Sequence, residues 1–360
     1  MKERSGATHL GAVGRLPLCL SQHGVTLMNS TETTTPSLDV IDELDWCGLK
    51  YLAVRLALEM DIFTTIAAGC CTFEEIAEAI RASERGARIL LDVLCPLGLL
   101  RKAQGAYSLT PTSEAFLVRG KPTYCADAYL VIWRDRDMLM QAVRTGTATL
   151  DIPGPEAEEM WASYAAADLL TWSQSAVRAL ERWTQLGITK DTKPGWLVLD
   201  AACGSGVGSF VLSQADPNTR VIAFDFAKVL AIAAQVAEMM GVRDQVNFHP
   251  GNLLTDEFPE MQFDVVLFGA ILYYFKPEDV IAILRRAHHT LKSDGLVVIR
   301  GLIADEERCQ NEMALVMALE LLHDAPHGEM YTFSEYKVFM EKVGFTDVSQ
   351  SSELLISAKK

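Results

Sequence analysis

Residues 196–208 read Trp-Leu-Val-Leu-Asp-Ala-Ala-Cys-Gly-Ser-Gly-Val-Gly. An apolar run, Trp196 to Leu199, ends in an acid, Asp200. A turn carrying Gly204, Gly206 and Gly208 follows, and then helix-like sequence. Glycine lets backbone pass close to a ligand, and the start of a helix offers free N–H groups. An acid four residues ahead of the first glycine suits a ligand with a cationic end.

Three further segments carry compatible chemistry. A second apolar run ends Val221-Ile-Ala-Phe-Asp225. An acid at the end of a second strand, about 20–25 residues past a glycine turn, is placed to accept hydrogen bonds from ribose hydroxyls. Phe226 beside it can lie on an adenine face. After a third run comes Gly251-Asn252-Leu253-Leu254. Asn252 can meet the adenine amino group, and Leu253 can pack on the ring. After a fourth comes Gly269-Ala-Ile-Leu-Tyr-Tyr-Phe275. Ligands of open parallel sheets bind outside the carboxyl ends of the strands, so these loops should meet in one crevice. S-adenosylmethionine has adenine, ribose, a sulfonium and an ammonium, and fits the set. A dinucleotide fits less well: its fingerprint needs Gly or Ala at position 209, which is Ser, and has no use for Asp200.

The elements that must position these residues alternate. Strands are expected at 196–200, 221–225, 246–249, 263–268 and 295–300, and helices at 206–214, 227–240 and 277–291. Two late strands, near 346–350 and 353–358, would close an edge. That order predicts a parallel sheet with helices on both faces. Upstream, residues 40–60 carry apolar positions at helical spacing. Thr72-Phe-Glu-Glu75 opens a second helix as a capping box, and Ser83-Glu-Arg opens a third, through Leu94. Leu99–Lys102 and Tyr107–Leu109 read as two short strands around a turn. This is a winged-helix pattern. Residues 121–186 look helical and aromatic, and the Asp151-Ile-Pro-Gly-Pro155 break divides them. Within them Trp133 sits in a charged Trp-Arg-Asp-Arg run and Tyr164 lies further on.

Bulk properties exclude several classes. The formal net charge is −15, a field that repels phosphate backbones and anionic lipid. Arg81, Arg85 and Arg88 on the third helix raise the question of DNA, but Glu84 and Asp92 dilute them. Nucleic acid and membrane are therefore not expected partners. Eight cysteines are scattered without a C-x-x-C pair, as in a reduced, cytoplasmic protein. Leu16–Leu20 is too short and interrupted for a secretory h-region, and no metal-ligand spacing is present. Residues 1–37 read as a mobile tail, 38–118 as the winged-helix part, 119–190 as a helical connector holding acceptor contacts, and 191–360 as the sheet domain.

Across about residues 38–358 the chain resembles the S-adenosylmethionine-dependent methyltransferases of the small-molecule O-methyltransferase type. Asp200-Ala-Ala-Cys-Gly-Ser-Gly206 matches their D-x-G-G-G-x-G with Ala and Cys at the middle glycines. Asp225 matches the ribose acid, and Asn252 stands where they have Asp. The resemblance implies an α/β fold: a Rossmann-like class I methyltransferase domain preceded by a mostly α, winged-helix-like dimerisation domain. It implies a homodimer and a small-molecule acceptor.

The chain departs from the family at the chemistry. The family's general base is the His of a Leu-His-Asp-Trp run, which here reads Leu272-Tyr-Tyr-Phe275. Arg300 stands where the family has an acid at the end of strand five. Met330 stands where it has a second acid, with Glu329 one place off. Tyr273 is then either an orienting phenol or a packed aromatic, and His323 is a candidate replacement base. The Tyr-containing run also resembles ring C-methyltransferases of the bacteriochlorophyll pathway. The sequence therefore points to methyl transfer onto an oxygen, or an activated ring carbon, of a small aromatic or polyketide-like molecule. It leaves three alternatives: C-methylation of a tetrapyrrole-like ring, a non-methylating cyclisation, elimination or hydroxylation, and a non-enzymatic binding or regulatory protein. The expected cofactor contacts are Asp200, Gly204, Gly206, Asp225, Phe226, Asn252, Leu253 and Gly269. Trp133, Tyr164 and Arg300 are the expected acceptor contacts.

Overall fold

The structure is a computed structural model that describes residues 36–126, 136–148, 150, 151, 154 and 157–360. The chain divides into two compact units, Met1–Trp46 and Cys47–Lys360. Helix α1 (Asp39–Glu59) begins in the first and continues into the second. In the second unit its Leu49, Leu52 and Leu56 stay 51 %, 50 % and 47 % exposed, at helical spacing.

The winged-helix part follows the sequence pattern and adds two short helices. Helix α2 (Ile62–Ala67) precedes α3 (Phe73–Ala79) and α4 (Glu84–Leu94). Thr72 and Glu75 form the expected reciprocal cap, and Ser83 accepts from the Gly86 N–H. Strands β1 (Leu100–Ala103) and β2 (Ala106–Leu109) pair antiparallel. Their two-residue turn, Gln104-Gly105, has positive φ at both positions, as tight hairpins require. Helix α5 (Pro111–Phe116) follows. Asp92 of α4 holds the wing: it accepts from the Tyr107 hydroxyl at 2.7 Å and from Lys102 at 2.6 Å. Arg88 also pairs with it, at 3.2 Å.

Helices α6 (Arg136–Thr145), α7 (Glu158–Ala166) and α8 (Asp168–Gln185) lead to the sheet. From there the order is β3 (Leu197–Ala201), α9 (Val207–Ala215), β4 (Arg220–Asp225), α10 (Ala227–Met239), β5 (Val246–Pro250), β6 (Phe263–Gly269), α11 (Pro277–Thr290) and β7 (Leu291–Arg300). Helices α12 (Glu312–Asp324) and α13 (Phe333–Val343) precede β8 (Thr346–Ser352) and β9 (Leu355–Lys359). The strands lie in the order β5-β4-β3-β6-β7-β9-β8. The first five are parallel, and β9 and β8 close the edge antiparallel. The order reverses between β3 and β6, and such a switch point opens a crevice.

Strand residues alternate between two cores, as a period of two dictates. Leu199, Phe224, Val266 and Phe268 join α11 and α13 on one face. Val198, Ala223, Val265 and Leu267 join α8, α9 and α10 on the other. The segment read as a connector thus supplies a core helix. Trp183 of α8 fixes it by donating its indole N–H to the Gly208 carbonyl at 2.6 Å.

Asp264, buried at the start of β6, accepts from the Leu197 N–H at 2.8 Å and from Lys292 at 2.7 Å, and it also pairs with Lys193. Burial alone would raise its carboxyl. The lysines and the N–H outweigh that and hold it below the usual range. Its contribution to stability is therefore present above the ordinary Asp pKa and lost as pH falls through the lowered value. Asp264→Ala should cost about 1–3 kcal/mol at pH 7, because it leaves a buried N–H unpaired. Urea unfolding measures this, and the deficit should shrink toward pH 3.

Candidate cofactor and acceptor site

A cavity of about 360 Å³ opens at the carboxyl ends of the parallel strands. Its lining includes Gly204, Asp225, Phe226, Asn252, Leu253 and Gly269, from four separate loops. Tyr164 and Arg300 line it as well. Trp133 lies outside the described residues.

Asp225 fixes the geometry. Its Oδ2 accepts from the Gly204 N–H at 2.8 Å and its Oδ1 from the Phe226 N–H at 2.7 Å. Burial pushes this carboxyl up to about 6, against the pull of those two N–H groups. The turn is also clasped to β4, because the Ala202 and Cys203 N–H groups both donate to the Phe224 carbonyl. Ala202 pays for that clasp with φ of 62°, in the left-handed region that favours glycine. It is one of the two positions where this chain departs from the glycines of the resembling family's pattern. Gly204, at φ 57°, would place a Cβ with no protein atom within 4 Å, so open cavity lies beside it.

Two expected contacts sit behind the lining. A Cβ on Gly206 would lie 2.1 Å from the Phe210 ring, and its φ is 79°. That glycine lets α9 start against the turn. Asp200 is 2 % exposed and accepts from the Ser209 hydroxyl at 2.6 Å. Burial raises its carboxyl to about 7, with Ser209 and Arg300 opposing and Asp225 adding. It ties α9 to the end of β3. At the far end, Asn252 accepts from the Leu254 N–H at 2.9 Å, which fixes its amide at the rim. Gly251 donates to the Asp225 carbonyl at 3.0 Å, and a Cβ there would strike Phe224.

The rest of the lining is largely aromatic and aliphatic. Trp161 and Tyr164 of α7 line the cavity with Ile271 and Phe275. Trp161 meets Tyr274 edge-on, with centroids 5.4 Å apart. Tyr273 lies behind this wall, packed among Ala304, Ala314, Leu321 and Met330. Burial drives its phenol far above the ordinary value, and Arg300 only partly opposes that. Tyr274 is raised in the same way. His323 ends α12, 1 % exposed, with its Nδ1 against Asp324. It forms a buried imidazole–carboxylate pair with Asp324 and does not line the cavity.

Sequence reasoning gave no role to Asp168 or Ser205, and it placed Trp161 in the acceptor segment without naming it as a contact. Asp168 lines the cavity, accepting from the hydroxyls of Ser205 at 2.6 Å and of Thr171 and Ser175 at 3.1 Å. No motif signals it, because it sits on a helix far upstream of the glycine turn. The donor set fits S-adenosylmethionine: a fixed carboxylate at ribose distance from a glycine turn, an amide at the adenine end and open space beside Gly204.

Comparison with known proteins agrees with this geometry. The O-methyltransferase domain matches residues 191–346, and the O-methyltransferase dimerisation domain matches residues 49–119. The tetracenomycin polyketide synthesis 8-O-methyl transferase TcmO of Streptomyces glaucescens is 30 % identical over 312 residues, covering 82 % of this chain and 88 % of the relative. The chain belongs to the O-methyltransferase family. The 3-hydroxy-5-methyl-1-naphthoate 3-O-methyltransferase of Streptomyces sahachiroi is 25 % identical, covering 83 % of this chain and 87 % of its own. Human N-acetylserotonin methyltransferase, solved in complex with S-adenosylmethionine, shares the fold with a TM-score of 0.67 at 21 % identity, over 92 % of this chain and 99 % of that one. The protein is an S-adenosylmethionine-dependent methyltransferase of Rossmann-like fold with a dimerisation domain. Among the described residues, no helix is long and apolar enough to cross a membrane.

Ribose hydroxyls would donate to the ionised form of Asp225, so binding should favour that form. Affinity for S-adenosylhomocysteine should be level above pH 7 and should weaken as pH falls through about 6. Asp225→Asn should bind more weakly at pH 7.5 and lose that slope. Calorimetry from pH 5 to 8 checks both.

Proposed function

We propose that this enzyme methylates an oxygen, or an activated ring carbon, of a small aromatic or polyketide-like natural product. The observation that carries this reading is the mixed lining of the cavity. Asp225, Asn252 and the glycine turn share it with Trp161, Tyr164, Ile271 and Phe275. Flat aromatic and aliphatic walls suit a planar acceptor. The names of the two Streptomyces relatives, a polyketide 8-O-methyl transferase and a naphthoate 3-O-methyltransferase, support the same class.

The proposed roles follow from placement. Asp225 holds the ribose hydroxyls, Asn252 the adenine edge, and Phe226 and Leu253 the ring faces. The glycine turn leaves room for the sulfonium. Trp161 and Tyr164 hold the acceptor plane and exclude water. When bound, S-adenosylmethionine supplies the methyl group and a good leaving group. Catalysis by the chain is then mainly positioning, which can supply several kcal/mol. Tyr273, its phenol raised by burial, does not serve as a base near neutral pH. The acceptor oxygen should therefore be acidic enough to ionise in the medium. His323 and Asp324 remain the candidate proton acceptor, reached only if the acceptor extends past Tyr274.

The protein is proposed to act as a cytoplasmic homodimer. Exposed Leu49, Leu52 and Leu56 lie at the start of the matched dimerisation domain and need a cover.

With a panel of hydroxylated naphthalenes and anthraquinones, the product should gain one methylene unit in mass as S-adenosylhomocysteine accumulates. Tyr273→Phe should retain kcat within about tenfold. A loss beyond about 100-fold, the scale of general acid–base catalysis, would restore a catalytic role to the phenol. Unchanged S-adenosylmethionine beside an altered acceptor would exclude methyl transfer for that acceptor. Separately, Leu52→Glu with Leu56→Glu should sediment as a monomer, and an unaltered dimer would contradict the proposed interface.

A further inference from the structure

Arg300 ends β7 at the cavity, and its Nε is buried without a hydrogen-bond partner. No described carboxylate lies within ion-pair distance of it; Asp200, a nearby acid, is engaged with Ser209. A second guanidinium, Arg182, shares the small void behind it. Burial, and then the charge of Arg300, pull Arg182 below its ordinary value. A guanidinium N–H buried without an acceptor is costly, and a second cation nearby adds to the cost. An anion in the cavity would relieve both.

Two glycines make the slot. A Cβ at position 269 would lie 2.9 Å from Nη2 of Arg300, and one at position 208 would lie 3.8 Å from it. The guanidinium therefore reaches back from β7 over the end of β6 toward the first turn of α9. Strand order then fixes what it meets. Asn252 follows β5, Asp225 ends β4 and Gly204 follows β3, so adenine, ribose and sulfur run in that order along the sheet. The next position is the end of β6, about 4.8 Å further on, where the guanidinium lies. The aminocarboxypropyl arm of the cofactor spans about that distance.

We propose that Arg300 holds the α-carboxylate of S-adenosylmethionine. This deepens the site reading above and rests on it. At neutral pH that carboxylate is the cofactor's one anionic group, and a guanidinium fork matches it with two parallel hydrogen bonds. Arg300 is thereby a cofactor-binding residue rather than the acceptor contact expected from sequence. Pairing here keeps the guanidinium off the acceptor oxygen, whose nucleophilicity it would lower.

The test is calorimetry on the full chain with two ligands: S-adenosylhomocysteine and its decarboxylated analogue, adenosyl thiopropylamine. The unaltered protein should bind the first more tightly. Arg300→Met should weaken S-adenosylhomocysteine roughly 10–100-fold, the scale of a charged hydrogen bond. It should leave the amine analogue within about threefold, and Arg300→Lys should recover part of the loss. Equal weakening of both ligands would mark a structural role and overturn the proposal. Unchanged S-adenosylhomocysteine affinity with a raised KM for the acceptor would assign the guanidinium to the acceptor, and overturn it too. If the unaltered chain bound neither ligand, the site reading itself would fail, which is a different result from failure at Arg300 alone.

Discussion

The carboxylate of Asp225 holds the site together. It is buried, and two backbone N–H groups, from Gly204 and Phe226, hold it in one orientation. The first bond ties the glycine turn after β3 to the end of β4, and the second holds the Phe226 N–H at the entry to α10. Without it, the loop that must approach the ligand most closely would have one anchor fewer on the neighbouring strand. Burial raises the cost of its charge, and a ligand presenting hydroxyl groups relieves that cost.

Around this point the structure stores several local costs. Ala202 and Ala270 adopt φ of 62° and 59°, both at the cavity. Burial raises the carboxyls of Asp200 and Asp225, and the Nε of Arg300 has no hydrogen-bond partner among the described residues. Strained backbone and unbalanced charge concentrated in one cleft are what a binding site looks like before its ligand arrives. The rest of the fold supplies the compensation, through two apolar cores on opposite faces of the sheet.

The reacting side differs from the resembling family in a coordinated way. By the resemblance read from the sequence, a phenol stands where that family has its imidazole base, and a guanidinium where it has the orienting acid. Tyr273 then turns inward among apolar side chains, where its hydroxyl is held neutral. The cation at 300 serves no imidazole, because none is nearby in that run. Under the proposed function such a site would favour acceptors that bring their own acidity, with selectivity set by the aromatic lining.

The sequence by itself determined the succession of strands and helices in the sheet domain, the helix caps and the loops that face the cavity. Each of these is local: apolar runs with a period of two, Thr72 with Glu75, and an acid followed by a glycine turn. Gly204, Asp225, Asn252 and Leu253 were legible because one turn of chain places each at a strand's carboxyl end. Tertiary structure alone decided which of the remaining residues reach the cavity. Asp168 and Trp161 arrive on helices that no motif links to the turn, while Asp200 and Gly206 are taken up by packing against Ser209 and Phe210. The burial of His323 and the solitude of Arg300 likewise depend on partners far away in the chain, and no spacing within a segment records them.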